Sequence, residues 1–242
     1  MKARLSALVF AVSMLATRLV VWTFARWTVR DAANVPAEGG IILISNHLHL
    51  LDPPLVMAST RRRTRPMAKR DLFETPLVGW WFWAFGAFPV RRYSADIGAL
   101  RAARNLLKQG EAVLMFPEGT RSKDGAGLQP ALPGAAMVAL LAGVPIVPIA
   151  VTGTEDIRIP GVFFRPFRRD RIRLDVRFGE PFHLPAEMTD ARHAEAASDF
   201  VMRRIAELLP EAYRGAYGPG SEDKVVFARS EVRLTAPRRS KD

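Results

Sequence analysis

The stretch Ser45-Asn46-His47-Leu48-His49-Leu50-Leu51-Asp52-Pro53-Pro54 decides how this chain reads. Immediately before it lies Ile41-Ile42-Leu43-Ile44, a short apolar run rich in β-branched residues, which reads as a buried strand. Immediately after it, Asp52 precedes two prolines. Asp is a good helix N-cap, and proline is favoured in the first turn because the N–H it lacks would be unpaired there anyway. The order is therefore strand, polar loop, helix start. In an open α/β sheet such loops gather at the carboxyl ends of the strands, where ligands bind. Two of the four histidines of the chain sit in this loop, together with a carboxylate.

Histidine is the side chain best matched to proton transfer near neutral pH. A buried carboxylate on one ring nitrogen fixes the tautomer and stabilises the imidazolium that forms. On a continuous helix His47 and Asp52 would diverge by about 140°. In a loop that turns into a helix cap they can converge, and the prolines favour the loop. Taken alone, the same residues read equally well as a capped turn with no chemistry.

Working outward, helix and strand signals alternate, so the expected fold class is α/β: one domain, residues 31–215, with a largely parallel or mixed sheet flanked by helices. Residues 112–116 and 172–178 read as strands, 96–109 and 189–209 as helices. The run 144–151 reads as a strand that Pro145 and Pro148 should confine to an edge, a bulge or a strand start. Residues 216–242 read as a polar, basic, loosely ordered tail. No internal repeats are present.

The net charge is +11, with 35 Lys and Arg against 24 Asp and Glu. Such a surface seeks polyanions. No cysteine occurs, which excludes disulfides, thiolate metal sites and a Cys nucleophile. No nucleic-acid-binding motif is recognisable, so the basic run Arg61–Arg70 reads as a solvated loop, and the expected partner is a membrane surface with anionic lipids, with no nucleic acid. His47-Leu48-His49 with Asp52 lacks the common metallohydrolase spacing, and no metal is expected.

Residues 1–30 point the same way. Leu5 to Thr17 is an uncharged run of 13 residues. That is shorter than the ~20 needed to span a bilayer. Arg4, Arg18, Arg26 and Arg30 fall within an arc of roughly 120° on one continuous helix. Trp22 and Trp27 add interfacial anchors. The expectation is a helix over residues 1–30 lying in one leaflet, with a span, a core helix or a signal segment as alternatives. Trp80-Trp81-Phe82-Trp83 and Phe85 read as core, as a wall for an acyl chain, or as an interface anchor. The arginine- and phenylalanine-rich segment Arg158–Arg173 suits an anionic membrane surface or a solvated loop.

Asn46-His47, four residues, then Asp52 resembles the first motif of the glycerolipid acyltransferases, in particular the 1-acylglycerol-3-phosphate acyltransferases. Three more blocks follow in the order that family has them: Gly86-Ala87-Phe88-Pro89-Val90-Arg91-Arg92, Phe116-Pro117-Glu118-Gly119-Thr120-Arg121-Ser122 and Val144-Pro145-Ile146-Val147-Pro148-Ile149. The resemblance covers residues 30–215. It implies an O-acyltransferase that moves a fatty acyl group from a thioester donor, acyl-CoA or acyl carrier protein, to the hydroxyl of 1-acylglycerol-3-phosphate, giving phosphatidic acid. Glycerol 3-phosphate, another lysophospholipid or a lyso-ornithine lipid are alternative acceptors. A non-enzymatic membrane- or polyanion-binding module is a remote one. No cofactor beyond the acyl donor is implied.

In that reading His47 is the base and Asp52 orients it. Lys69, Arg92 and Arg121 neutralise the acceptor phosphate, with Glu118, Gly119 and Thr120 shaping the pocket. Glu118 can accept from an acceptor hydroxyl or hold Arg121, glycine admits a close ligand, and arginine holds phosphate bidentately. Two departures stand out. His49 replaces a frequent serine, which leaves a second base, a thioester contact or a spectator as its role. Leu132 replaces a frequent basic residue. The implied location is the cytoplasmic face of the cell membrane, peripheral or monotopic.

Overall fold

A computed structural model of the chain describes residues 2–91, 96–122, 127–157, 171–188 and 190–221. Seven strands form one mixed sheet: β1 (Ala25–Arg30), β2 (Ile41–Ser45), β3 (Thr64–Lys69), β4 (Phe88–Val90), β5 (Ala112–Met115), β6 (Ile146–Thr152) and β7 (Ile172–Phe178). Their spatial order is β1-β7-β6-β2-β5-β3-β4. The five strands β6, β2, β5, β3 and β4 are mutually parallel. β7 runs antiparallel to β6, and β1 runs parallel to β7. The carboxyl ends of the five parallel strands therefore share one edge of the sheet, where the sequence motifs gather.

β2 is buried on both faces, as its unbroken apolar run requires. Ile42 and Ile44 face α5 (Ile97–Lys108), α6 (Pro133–Ala142) and α7 (Ala194–Leu208) through Leu107, Val138 and Ile205. Ile41 and Leu43 face the other way, toward α1 (Lys2–Phe24), α2 (Asp52–Ser59) and α4 (Val78–Phe85) through Met14, Leu55 and Phe85. The result is a three-layer α/β domain. A single turn, α3 (Asp71–Glu74), connects β3 to α4.

Three expectations need correction, and a fourth, for Pro148, holds. The N-terminal helix ends at Phe24, and residues 25–30 form edge strand β1 in register with β7. Trp27 and Val29 alternate with Arg26, Thr28 and Arg30, a period-2 pattern that a helix reading absorbs as an arc. Pro148 lies in an interior strand but at a bulge, one of the places expected for it: Ile149 pairs with Phe178 and Ile146 with Phe182, so the partner side carries one extra residue, and the Pro148 carbonyl accepts from the Gly179 N–H at 2.8 Å. The first part of the expected tail, residues 216–221, is not loose: it continues from two 3₁₀ turns, Glu211–Tyr213 and Gly215–Tyr217, and buries Tyr217, whereas 222–242 lie outside the described residues. Finally, the Arg61–Arg70 run is only partly solvated. Arg62 donates to the carbonyls of Pro36, Glu38, Gly39 and Gly110, and Arg65 pairs with Glu111 at 2.8 Å.

The helix α1 is patterned inside out. Its exposed side carries Leu5, Leu8, Val12, Leu15, Leu19 and Trp22, the last 71% exposed. Its inward side carries Ser6, Ser13 and Thr17 beside Phe10 and Met14. Arg4–Phe24 is long and apolar enough to cross a membrane by length and composition. Yet α1 is tied to the domain along its length. The Ser6 hydroxyl donates to the Ala84 carbonyl at 2.7 Å and Arg18 Nε to the Ala58 carbonyl at 3.1 Å.

Candidate active site

The β2–α2 loop folds back on Asp52. The carboxylate is fully buried and collects four hydrogen bonds. Oδ2 meets His47 Nδ1 at 2.8 Å and accepts from the backbone N–H groups of Leu48 and His49 at 2.6 and 2.7 Å. Oδ1 accepts from the Thr154 hydroxyl at 2.6 Å. Asp52 therefore does not cap α2, whose first residue it is; its oxygens reach back to organise the preceding loop. A carboxylate at Nδ1 makes that nitrogen the protonated one and leaves the Nε2 lone pair free. Nε2 makes no hydrogen bond among the described residues, and His47, 7% exposed, keeps a narrow opening to the outside. The imidazole leans on Phe116, ring centroids 4.4 Å apart.

The loop is fastened to its neighbours through main-chain groups. The Asn46 amide bonds both the N–H and the carbonyl of Val151 on β6, each at 2.8 Å. The His47 carbonyl accepts from the Ser122 N–H at 2.7 Å, and its N–H donates to Glu118 Oε1 at 2.8 Å. Glu118 Oε2 accepts from the Gln129 N–H at 2.9 Å and the Ser122 hydroxyl at 3.2 Å. Burial, opposed by these bonds and reinforced by the charge of Asp52, raises the Glu118 carboxyl to about 7. Glu118 thus faces inward. Its oxygens meet the His47 N–H, the Ser122 hydroxyl and the Gln129 N–H, with no bond to Arg121 among the described residues, which sets Glu118 behind His47.

The remaining expected residues distribute along the same edge. Gly119 sits at φ +67 in the turn after β5, where its N–H donates to the Phe116 carbonyl at 3.1 Å. A Cβ there would lie 2.2 Å from Leu132 Cδ1, so Leu132 packs on the position that glycine leaves open. Thr120 is half-buried beside it and Arg121 is exposed. Lys69 ends β3 and pairs with Asp71 at 2.5 Å on the half-exposed rim, and its ammonium has three donors, so the pair leaves it able to meet a second anion. Arg92 lies outside the described residues. His49 is half-buried. Burial holds its imidazole below the ordinary value against the pull of Asp52, and the charges of Arg121 and His47 lower it further. Its Nδ1 accepts from the Leu51 N–H at 3.3 Å, a loop-holding role.

Asn46 and Ser122 lie within the quoted motifs but carry no role there, and Thr154 stands outside them. Their partners lie on other elements, and no local spacing announces them. Among the described residues no group of three or more His, Cys, Asp or Glu side chains could hold a metal. An apolar cavity of about 390 Å³ opens beside the loop, lined by Met14, Val21, Leu51, Leu55, Trp81 and Phe85 among others. Trp80 and Trp83 instead point outward, 59% and 57% exposed.

Residues 26–152 match the acyltransferase family model. The chain is 28% identical over 183 residues to 1-acyl-sn-glycerol-3-phosphate acyltransferase of Bacillus subtilis, covering 74% of this chain and 86% of that protein. It is 33% identical over 144 residues to the chloroplastic 1-acyl-sn-glycerol-3-phosphate acyltransferase of Brassica napus, covering 58% of this chain and 41% of that one. It therefore spans half or less of the length of several curated relatives. The crystal structure of the 1-acyl-sn-glycerophosphate (LPA) acyltransferase from Thermotoga maritima superposes with a TM-score of 0.61 at 25% identity, over 83% of this chain and 79% of that one. The matched segment runs from β1 to β6 and holds the His47–Asp52 pair, Glu118 and the strand ends that position them, so this chain belongs to the acyltransferase family.

Proposed function

We propose that the protein is an O-acyltransferase that acylates 1-acylglycerol-3-phosphate from a thioester donor, acyl-CoA or acyl carrier protein, to give phosphatidic acid. The observation that carries this reading is the His47–Asp52 pair, with Nε2 free, at the strand ends of an acyltransferase domain. His47 Nε2 takes the proton of the acceptor hydroxyl as its oxygen attacks the thioester carbonyl. The new C–O bond forms, the C–S bond breaks, and the proton passes from the imidazolium to the departing thiolate. Asp52 stabilises the imidazolium while the proton is there. The apolar cavity beside Leu51 receives an acyl chain. Lys69, Arg92 and Arg121 meet the phosphate of the acceptor, and Gly119 and Thr120 form the turn that presents Arg121.

Purified enzyme is expected to prefer 1-acylglycerol-3-phosphate over glycerol 3-phosphate, neutral lysolipids and lyso-ornithine lipids when all are offered with one donor. Arg121→Ala should raise the acceptor KM about 10-fold or more, as loss of a charge-assisted contact does, and leave the donor KM unchanged. A neutral acceptor turned over faster than the phosphorylated one defeats the acceptor assignment.

The same reading places the protein on the cytoplasmic face of the membrane, where thioester donors are found, with α1 in one leaflet. Apolar residues outward and hydroxyls inward suit a lipid-facing helix, and its bonds to Ala84 and Ala58 favour lying against the domain over spanning. Replacing Leu8, Leu15 and Trp22 together by glutamate leaves the inward face intact. Each loses burial worth about 1.5 kcal/mol or more, so flotation with phosphatidylglycerol-containing vesicles should fall at least ~100-fold. Undiminished flotation would mean that another surface carries the attachment.

A further inference from the structure

The C-terminal segment Glu211–Ser221 lies beyond the family-matched region, yet it touches the supports of both members of the His47–Asp52 pair. Its first 3₁₀ turn places the Tyr213 hydroxyl on Glu155 Oε1. Glu155 follows Thr154 in a short turn, and Thr154 donates to Asp52. Burial and the Glu155 carboxylate push the Tyr213 phenol up to about 12, so it remains a donor across the working pH range. The other oxygen of Glu155 is buried and has no partner among the described residues, so the phenol is the contact that fixes this side chain.

The second support is reached through the main chain. The Leu128 N–H donates to the Tyr213 carbonyl at 2.9 Å, and the Ala216 N–H donates to the Leu128 carbonyl at 3.0 Å. The Ala131 N–H donates to the Tyr217 hydroxyl at 3.2 Å, and the Arg203 guanidinium covers the Tyr217 ring. These bonds clamp residues 128–131, and between them the Gln129 N–H is delivered to Glu118, which holds the His47 N–H. The approach is close enough to require glycine on both sides. A Cβ on Gly127 would lie 2.4 Å from the Gly215 nitrogen, and one on Gly215 would lie 2.4 Å from the Leu128 carbonyl oxygen.

We propose that residues 211–217 are a positioning strap for the catalytic pair, with Tyr213 and Tyr217 its positioning residues: Tyr213 sets Asp52 through Glu155 and Thr154, and the strap sets His47 through Gln129 and Glu118. The strap deepens the acyltransferase reading and rests on His47 being the base.

The test uses full-length enzyme with Tyr213→Phe, Thr154→Val and the double variant. Tyr213→Phe keeps the ring and removes one hydrogen bond to a charged group, so kcat should fall about 10-fold with both KM values unchanged. Because Tyr213 acts through Thr154, the double variant should lose little more than Thr154→Val alone. Proton NMR supplies a readout that needs no acceptor: the downfield Nδ1–H resonance of His47, bonded to Asp52, should shift or broaden in Tyr213→Phe. Wild-type enzyme inactive on every acceptor would overturn the acyltransferase reading, and the resonance would still judge the strap. A Tyr213→Phe variant that melts earlier but keeps wild-type kcat and an unmoved resonance would reduce the strap to a structural brace and overturn the proposal. Losses that multiply in the double variant would overturn the route through Thr154.

Discussion

His47→Ala is expected to lower kcat by ~10²–10⁴-fold, the range a positioned base contributes, with little change in folding. The imidazole is 9% exposed at the end of a loop whose main chain is held independently of it, by Glu118, Ser122 and Asn46. Truncating the ring leaves those bonds in place. His49→Ala should stay within about 10-fold of wild type, since its ring contributes one long bond to the Leu51 N–H and is not held by Asp52. Asp52→Asn separates charge from shape. The amide oxygen can keep the three donors on the Oδ2 side while the amide nitrogen turns to the Thr154 hydroxyl, which then accepts. The loop survives and the imidazolium loses its counter-charge, so kcat should fall ~100-fold or more with the circular dichroism spectrum unchanged. If His49→Ala proves inactive and His47→Ala does not, the base has been misassigned. An Asp52→Asn variant of wild-type activity would leave His47 working alone.

What the sequence made legible is what was local. The His47–Asp52 contact spans five positions, and a strand run, two histidines, an acid and two prolines announce it together. The α/β class follows from alternating elements, each with its own periodicity. The supports of the site are different in kind. Asn46 meets Val151 across 105 positions, Thr154 meets Asp52 across 102, and Glu118 meets the His47 N–H across 71. Such bonds depend on β2 lying between β5 and β6, a pairing order that no window of sequence displays. Glu118 was legible as part of a motif but not as a buried group, because a Glu-Gly turn after a strand reads as an exposed loop. β1 was missed for another reason. It continues an apolar helix without a break, and in Ala25–Arg30 a period of two and an arc of a helix fit the same six residues.

Glu118 carries the second large effect, and its sign with pH can be worked out. An ordinary carboxylate titrates near 4.3. In the folded protein burial raises Glu118 to about 7, because the donors from Gln129, His47 and Ser122 recover only part of the lost hydration and the charge of Asp52 opposes a second anion. Between those values the native state holds a proton that the unfolded chain has released. Stability therefore falls as pH rises through this interval, by roughly 3–4 kcal/mol in total, and levels off above it. Glu118→Gln removes the titration, and denaturant melts at pH 5 and pH 8 should then differ by about 3 kcal/mol less than they do for wild type. The amide cannot accept on both sides, so the variant also loses one donor among His47, Gln129 and Ser122, at a cost of about 1–3 kcal/mol at every pH. Glu118→Ala strands the His47 and Gln129 N–H groups, while the Ser122 hydroxyl keeps the Gly127 carbonyl at 3.0 Å. Its cost should be about 3–5 kcal/mol, with any folded fraction impaired in kcat because the His47 N–H has lost its anchor. Identical pH dependence in wild type and Glu118→Gln would show that some other group titrates. A fully active Glu118→Ala variant would show that Asn46 and Ser122 hold the loop unaided, and the path from Gln129 to His47 would then carry no positional information.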